Sequence, residues 1–234
     1  MTHQSVRIRA KLQSSVRLGV VPVHLDALLW HALHLKHGDP QLAIEALPDI
    51  LSQHEGVYQA SCMAFGTYPD TLVIATQTAT LGVMRSDSDL LANFIHPTRK
   101  NGQYSKLQVD GGPYKNRLTK HQTHYAPEVV WDAVGDPEAI CALLNFYVLA
   151  VGLEANRGFG AVRHFTWEAK TCDESWIDGN GNLTRVLPER MAGELLQITP
   201  NATQRLTSDT TPPYRNLEPE PCIAPVRVRR ILLD

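Results

Sequence analysis

The chain lacks the local cysteine pairs that mark many small binding and redox modules. Its four cysteines, Cys62, Cys141, Cys172 and Cys222, are scattered, and none forms a C-x-x-C pair or a zinc-ribbon spacing. Two isolated disulfides are compatible with the count, but free thiols in a reducing compartment are the expectation. No G-x-S-x-G elbow, Walker A lysine loop or H-E-x-x-H helix occurs, which removes the common hydrolase, NTPase and metalloprotease signatures. No apolar run is long enough to span a bilayer. Met1-Thr2-His3-Gln4-Ser5 leads straight into a strand pattern without a signal peptide, so the reading is cytoplasmic, with no membrane partner. A large charge excess is missing too. The 234 residues hold 22 Lys and Arg against 24 Asp and Glu, a net charge of −2, so any polyanion site must be a local patch. Repeats and low-complexity linkers are absent, which favours one elaborated domain.

What is present is most informative at residues 135–167, which read helix, glycine-rich turn, strand. Asp136-Pro137-Glu138 is a helix start: Asp accepts from the first turn, Pro fits the first helical position, and Glu faces the positive end of the dipole. Ile140, Leu143, Leu144, Tyr147 and Val151 recur at helical spacing, and Gly152 is expected to end the helix as a left-handed cap. Arg157-Gly158-Phe159-Gly160 follows, then a strand from Ala161 through Arg163 to Trp167. Two glycines one residue apart most often mark a tight turn. They also let bare backbone approach a ligand closely, and Arg157 adds positive charge, so phosphate is the natural candidate. The order is the reverse of a dinucleotide fingerprint, whose glycines lie between a strand and a helix.

Along the rest of the chain, Val6, Ile8, Ala10 and Leu12 alternate with Arg7, Arg9, Lys11 and Gln13, a half-buried strand with a basic outer face. A turn at 19–22 leads into a helix with Leu25, Leu28, Leu29, Ala32 and Leu35 on one side and Asp26 in its first turn, stopped by Gly38-Asp39-Pro40. Residues 41–51 suit a second short helix. Residues 57–65 and 71–84 suit strands joined by a turn at 66–70. Residues 86–126 show little periodicity, with Asp87-Ser88-Asp89 opening a short helix at 90–95. Residues 128–134 suit a strand, 178–182 a hairpin turn, 211–225 a proline-rich stretch and 226–232 a last strand. The resulting order is that of a β-α-β-β-α-β ferredoxin-like (RRM-like) α+β core, an antiparallel sheet with two helices on one face and the other face open to a ligand.

The positive patch lies at 96–124. Arg99, Lys100, Lys106, Lys115, Arg117 and Lys120 face a single acid, Asp110, with Tyr104, Tyr114 and Tyr125 interleaved. Basic loops are more often simply solvated. Lys and Arg neutralise phosphates and aromatics stack on unpaired bases, so this patch together with the glycine turn points to RNA. The first helix carries His24, His31, His34 and His37, any of which could serve as general base for a 2′-hydroxyl or simply line a polar edge. Tyr58, Tyr68 and Tyr125 could carry protons, but nothing singles them out. No metal set or cofactor is expected, because helical ligand pairs need a third ligand and the turn at 178–182 lacks the closing Glu of a calcium loop.

These features together resemble the RAMP superfamily of CRISPR-associated proteins, whose hallmark is a glycine-rich loop between the last helix and last strand of a ferredoxin-like fold. The matching residues are Val151-Gly152 and Gly158-Phe159-Gly160-Ala161-Val162. Within that superfamily the chain looks most like the small Cas-five-type subunit of type IV systems, on Val23-His24-Leu25-Asp26-Ala27-Leu28-Leu29, Trp131-Asp132-Ala133-Val134-Gly135-Asp136 and Pro212-Pro213-Tyr214. The resemblance implies one RAMP domain, with its core at about 5–85 and 127–170, an insertion at about 86–126 and an irregular extension at about 171–234. It implies a non-catalytic RNA-binding subunit that caps the 5′ handle of the CRISPR RNA (crRNA) in a ribonucleoprotein of antiviral defence. The implied partners are the guide RNA, the backbone and large subunits, and target DNA near the protospacer-adjacent motif. Arg157, Gly158, Phe159, Gly160 and Arg163 would hold the handle. Arg99, Lys100, Lys106, Lys115, Arg117 and Lys120 would belong to a thumb-like insertion. The alternative is a metal-independent crRNA-processing endoribonuclease.

Overall fold

The computed structural model describes residues 3–70, 74–83, 99–100, 103–104, 116–191, 204–214 and 218–233. They fall into two compact units, Thr76–Thr123 and the segments on either side of it, up to Ala75 and from His124 onward.

The larger unit is mixed α/β. It opens with β1 (Gln4–Leu12), α1 (Leu25–His37), α2 (Pro40–Ala46), the short β2 (Gln53–His54) and β3 (Val57–Tyr58), and β4 (Ala64–Thr67). The smaller unit holds β5 (Ala75–Val83), β6 (Arg99–Lys100), β7 (Gln103–Tyr104) and β8 (Arg117–Tyr125), with β5 and β8 overlapping its boundaries. The chain continues through β9 (Glu128–Gly135), α3 (Pro137–Tyr147), β10 (Val162–Ala169), β11 (Leu187–Pro188), β12 (Gln204–Ser208), β13 (Glu220–Ala224) and β14 (Arg230–Leu232).

A five-stranded sheet in the order β10-β1-β9-β4-β14 carries the larger unit. β1 and β4 both run antiparallel to β9, which lies between them, and β9 and β10 both run antiparallel to β1. Each strand-helix-strand passage therefore skips one position in the sheet. β14 joins β4 in parallel, so the sheet is mixed and not the purely antiparallel one expected. Val6, Ile8, Ala10 and Leu12 of β1 point into the main core with Val129 and Trp131 of β9 and Leu25, Leu29 and Leu33 of α1. Trp131 is fully buried, and its indole N–H donates to the Val23 carbonyl at 3.0 Å, so its one polar atom is satisfied.

The helices start and stop as their local chemistry dictates. Asp136 accepts from Ala139 N–H at 3.1 Å and opens α3 with Pro137 behind it. Gly38, with φ +71°, closes α1, and Asp39 opens α2 by accepting from Gln41 and Leu42 N–H. Two readings of apolar periodicity need correction. α1 buries Leu33, while Leu35 is 51% exposed, because the stripe that meets the sheet runs through Leu25, Leu29, Ala32 and Leu33. α3 ends at Tyr147, well before Gly152: the buried Val148 turns extended and leads into a bridge between Ala150 and Ala161. At the edge of the sheet, Asn145 donates to the Phe165 carbonyl at 2.9 Å and accepts from the Phe165 N–H at 2.8 Å.

Further departures concern strands. Gly66, expected in a turn, lies inside β4, where the Leu233 side chain packs on it. β13, inside the proline-rich stretch, is the middle of a three-stranded sheet, β11-β13-β12. The aperiodic region contains the nine-residue β8, paired with β5. Both strands of this ribbon are exposed along most of their length, and a strand wet on both faces has no alternation to read. The expected helix at 90–95 lies outside the described residues. The hairpin turn at 178–182 is present: Asp178 Oδ1 accepts from Asn180 and Asn182 N–H, each at 2.9 Å.

The expected open basic face of β1 is charge-paired and partly covered. Arg7 is buried, donating to Asp132 at 2.7 Å and Glu174 at 3.0 Å. Arg9 donates to Glu128, Glu168 and the Tyr68 hydroxyl. Ala64, Val130 and Ile231 of β4, β9 and β14 form an apolar cluster of their own with Tyr68 and Leu233, the residues that follow β4 and β14.

Candidate functional site

The glycine loop is tied to the segment that leaves β1. Gln13 N–H donates to Ala161 O, Gly160 N–H to Ser15 O and Leu153 N–H to Arg17 O, each at 2.8 Å. Ser14 Oγ donates to the Gly158 carbonyl at 2.8 Å and accepts from Ala161 N–H at 2.9 Å. Five hydrogen bonds between the two segments hold the loop, whose one regular element is a 3-10 turn at Ala155–Arg157.

Its two glycines do different work. Gly160 has φ +63°, and a Cβ there would overlap the Val151 carbonyl. The close approach at Gly160 is thus to the protein's own backbone, and Val151 N–H donates to Gly160 O at 2.9 Å. Gly158, with φ +87°, ends a 3-10 turn at Ala155–Arg157 and has open space where a Cβ would stand. The Phe159 side chain is buried and anchors the tip between them. The Arg157 side chain is 45% exposed and pairs with Glu154 at 3.4 Å. Glu154 holds a second arginine, Arg17, at 2.6 Å. Arg163 is exposed on β10, the strand that the loop feeds.

Of the other residues expected to bind RNA, Arg117 and Lys120 are exposed on β8 in the smaller unit. The backbones of Arg99 and Lys100 form β6, paired to Tyr104 and Gln103. Lys106 and Lys115 lie outside the described residues. Arg17, which stands against the glycine loop, escaped the sequence reading, because it sits in an irregular stretch after β1 with no motif around it.

A second cluster was also not anticipated. Arg185 is fully buried and grips Asp26 with both amino groups, at 3.0 and 2.8 Å. It also donates to the carbonyls of Ala60 and Thr210 and to the Tyr214 hydroxyl. The Tyr214 hydroxyl donates to Asp26 Oδ2 at 2.8 Å and lies 2.8 Å from His24 Nδ1. Burial pushes Asp26 up, but the charge and hydrogen bonds of Arg185 outweigh it and hold the carboxyl below its ordinary value. Burial, helped by the charge of Arg185, pulls His24 down to about 3, so it is neutral. Two segments that carried the family resemblance, at 23–29 and 212–214, meet here. The sequence signal was Arg185 itself, a lone charge in the run Leu183-Thr184-Arg185-Val186-Leu187.

The remaining histidines of α1 divide. His31 and His37 are exposed, and His34 stacks on Trp30 with ring centroids 5.5 Å apart. Tyr58 is buried and its hydroxyl is pushed up to about 12 by burial, so it is a weak proton carrier near neutral pH. All four cysteines are free thiols, and burial raises Cys62 to about 12. A cleft lined by Glu55, Asp209, Glu218, Glu220 and Arg190 has predominantly negative side chains, the wrong sign for a nucleic acid.

Among the described residues no three His, Cys, Asp or Glu side chains gather as a metal-ligand set. Among the same residues no helix is long and apolar enough to cross a membrane. No curated protein matches the sequence. Residues 4–216, which span four of the five strands of the main sheet, the glycine loop and the Asp26–Arg185–Tyr214 cluster, match the CRISPR type IV associated protein Csf3 family, and the chain belongs to that family.

Proposed function

We propose that this chain is a non-catalytic RNA-binding subunit of a multi-subunit type IV CRISPR effector complex. It caps the 5′ handle of the guide RNA and lies against the backbone and large subunits. It supports target DNA recognition near the protospacer-adjacent motif, acts in the cytoplasm and needs no cofactor. Its core is read as a ferredoxin-like RAMP fold, a reading supported by two strand-helix-strand passages that each skip one strand. The smaller unit, which interrupts the core between β4 and β9 in sequence, is read as the thumb-like insertion. Arg163 adds positive charge on the strand that the loop feeds, and Arg117 and Lys120 add it on the smaller unit.

The observation that carries the reading is the braced loop between α3 and β10, in a chain of this family, with an exposed arginine beside an unobstructed glycine. Cleavage would need a reachable general base. His24 is buried, neutral and bound to Tyr214, so it is not that base, and the exposed His31 and His37 are the candidates an endoribonuclease reading would need.

The test is binding of guide RNA by the full chain and by Arg157→Ala. Loss of one charge-assisted hydrogen bond is worth roughly 1.5–3 kcal/mol, about ten- to hundred-fold in affinity. Thermal stability should hold, since Arg157 is an exposed loop residue outside the core with one long ion pair. Equal binding of RNA with and without the 5′ handle would overturn handle capping. Cleavage of repeat RNA that disappears in His31→Ala would overturn the non-catalytic assignment.

A further inference from the structure

We infer that Arg17 and Arg157 form a two-arginine clamp for one RNA phosphate, and that Glu154 holds its place until RNA arrives. The inference rests on the reading that the glycine loop meets RNA backbone, and it adds a binding residue and a control element to that site.

Arg17 comes from the segment after β1, and Arg157 from the 3-10 turn of the loop. Between them stands Glu154, with Oε2 at 2.6 Å from Arg17 and Oε1 at 3.4 Å from Arg157. The two oxygens of one carboxylate thus address two guanidinium groups, as the two non-bridging oxygens of a phosphodiester would. The charges match as well, since each anion carries one negative charge at neutral pH.

Glu154 is held there by its backbone. Its φ of +57° is a left-handed conformation that a non-glycine residue adopts at a cost, tolerated where the surroundings fix it. The Arg17 carbonyl accepts from Leu153 N–H, so both sides of the clamp are tied to the same short stretch of loop.

The two ion pairs are unequal. Arg17 and Glu154 are each about three-quarters buried and close together, whereas Arg157 is more exposed and its contact is longer. An exposed pair at that distance is weak and exchanges readily. An arriving phosphate takes Arg157 first, then shares Arg17 as the carboxylate swings out. In the free chain the carboxylate leaves the trio with one net positive charge instead of two. Loose anions are therefore held poorly, while a phosphate presented by a docked RNA strand gains both arginines.

The experiment compares wild type, Glu154→Gln and Arg17→Gln in the full chain, by binding of a guide RNA with its 5′ handle at several salt concentrations. Glu154→Gln should bind about five-fold more tightly, with a log–log salt slope steeper by up to about 0.7, the value for one added net positive charge facing a single strand. Arg17→Gln should bind roughly ten-fold more weakly, with the slope shallower by about 0.7. Glu154→Gln that stays folded and binds no more tightly than wild type would refute the place-holding role. If Glu154→Gln does not fold, Arg17→Gln decides, and wild-type affinity in that variant sinks the clamp. Failure of wild type to bind handle RNA at all counts against the proposed function itself. Loss of binding in Arg157→Ala with wild-type behaviour in the other two variants removes the clamp and leaves that function standing.

Discussion

Asp26→Asn should be among the most damaging single-atom changes available to this protein. The substitution keeps the shape of the side chain and removes its charge. Arg185 would then remain fully buried, with its guanidinium facing the Ala60 and Thr210 carbonyls and the Tyr214 hydroxyl but no anion. Breaking a buried pair from one side costs about 3–5 kcal/mol, because the remaining charge is uncompensated. The neutral acceptors that still bond Arg185 put Asp26→Asn near the lower end. Arg185→Met sits near the upper end, since it leaves the buried Asp26 carboxylate with the Tyr214 hydroxyl as a donor but no cation. At roughly 2–4 °C per kcal/mol for a chain of this size, the midpoint should fall by about 6–20 °C. The double variant Asp26→Asn with Arg185→Met buries neither charge and should lose much less than the sum of the single losses. Thermal unfolding of the four proteins, followed by circular dichroism, reads this directly. Single losses under about 1 kcal/mol, or a double variant at the full sum, would show that the pair is not the desolvated lock inferred from its geometry.

His24 makes stability depend on pH. Its folded pKa, about 3, lies below the ordinary value of 6.5, so between those values the unfolded chain binds a proton that the folded chain refuses. Stability is full above pH 6.5 and falls by about 1.4 kcal/mol for each pH unit below it. The midpoint of the native chain should drop more between pH 7.5 and 5 than that of His24→Gln, and parallel curves would remove His24 as the cause. The two loop glycines should also separate. Gly158→Ala costs roughly 1–3 kcal/mol for its positive φ alone, whereas Gly160→Ala adds about 1–3 kcal/mol for overlap with Val151. Equal melting points for the two variants would contradict the different roles assigned to them.

Local chemistry was legible in the sequence. The Asp136-Pro137 start of α3, the Gly38-Asp39-Pro40 boundary, the alternation of β1 and the Asp178 hairpin are each fixed by residues within a few positions of one another. Features that depend on distant partners were not. Asp26 reads as a residue suited to a helix dipole, and nothing nearby reveals that a guanidinium 159 positions away claims it. Arg7 and Arg9 read as a solvent-facing basic stripe because Asp132, Glu174, Glu128 and Glu168 are remote in sequence. Val151 continues the apolar spacing of α3, yet Val148 already leaves the helix for the core. For the candidate site, the sequence pointed to Arg157 and the glycines but not to Arg17. Nor did it reveal that Gly160 serves a crossing of the chain with itself.

The Asp26–Arg185 pair also has a consequence in time. A ribosome adds about 5–20 residues per second, so the 159 positions between the two partners take roughly ten to thirty seconds to make. Throughout that interval α1 carries a carboxylate that the finished core would bury, with no cation to meet it. Burying it alone would be costly, so Asp26 keeps α1 from settling early into a dry, wrong packing. The apolar patch of Ala64 and Val130 waits still longer, until Ile231 and Leu233 are made. The larger unit therefore closes in two late steps: α1 once Arg185 has been made, and the patch on β4 and β9 once residues 231–233 have followed.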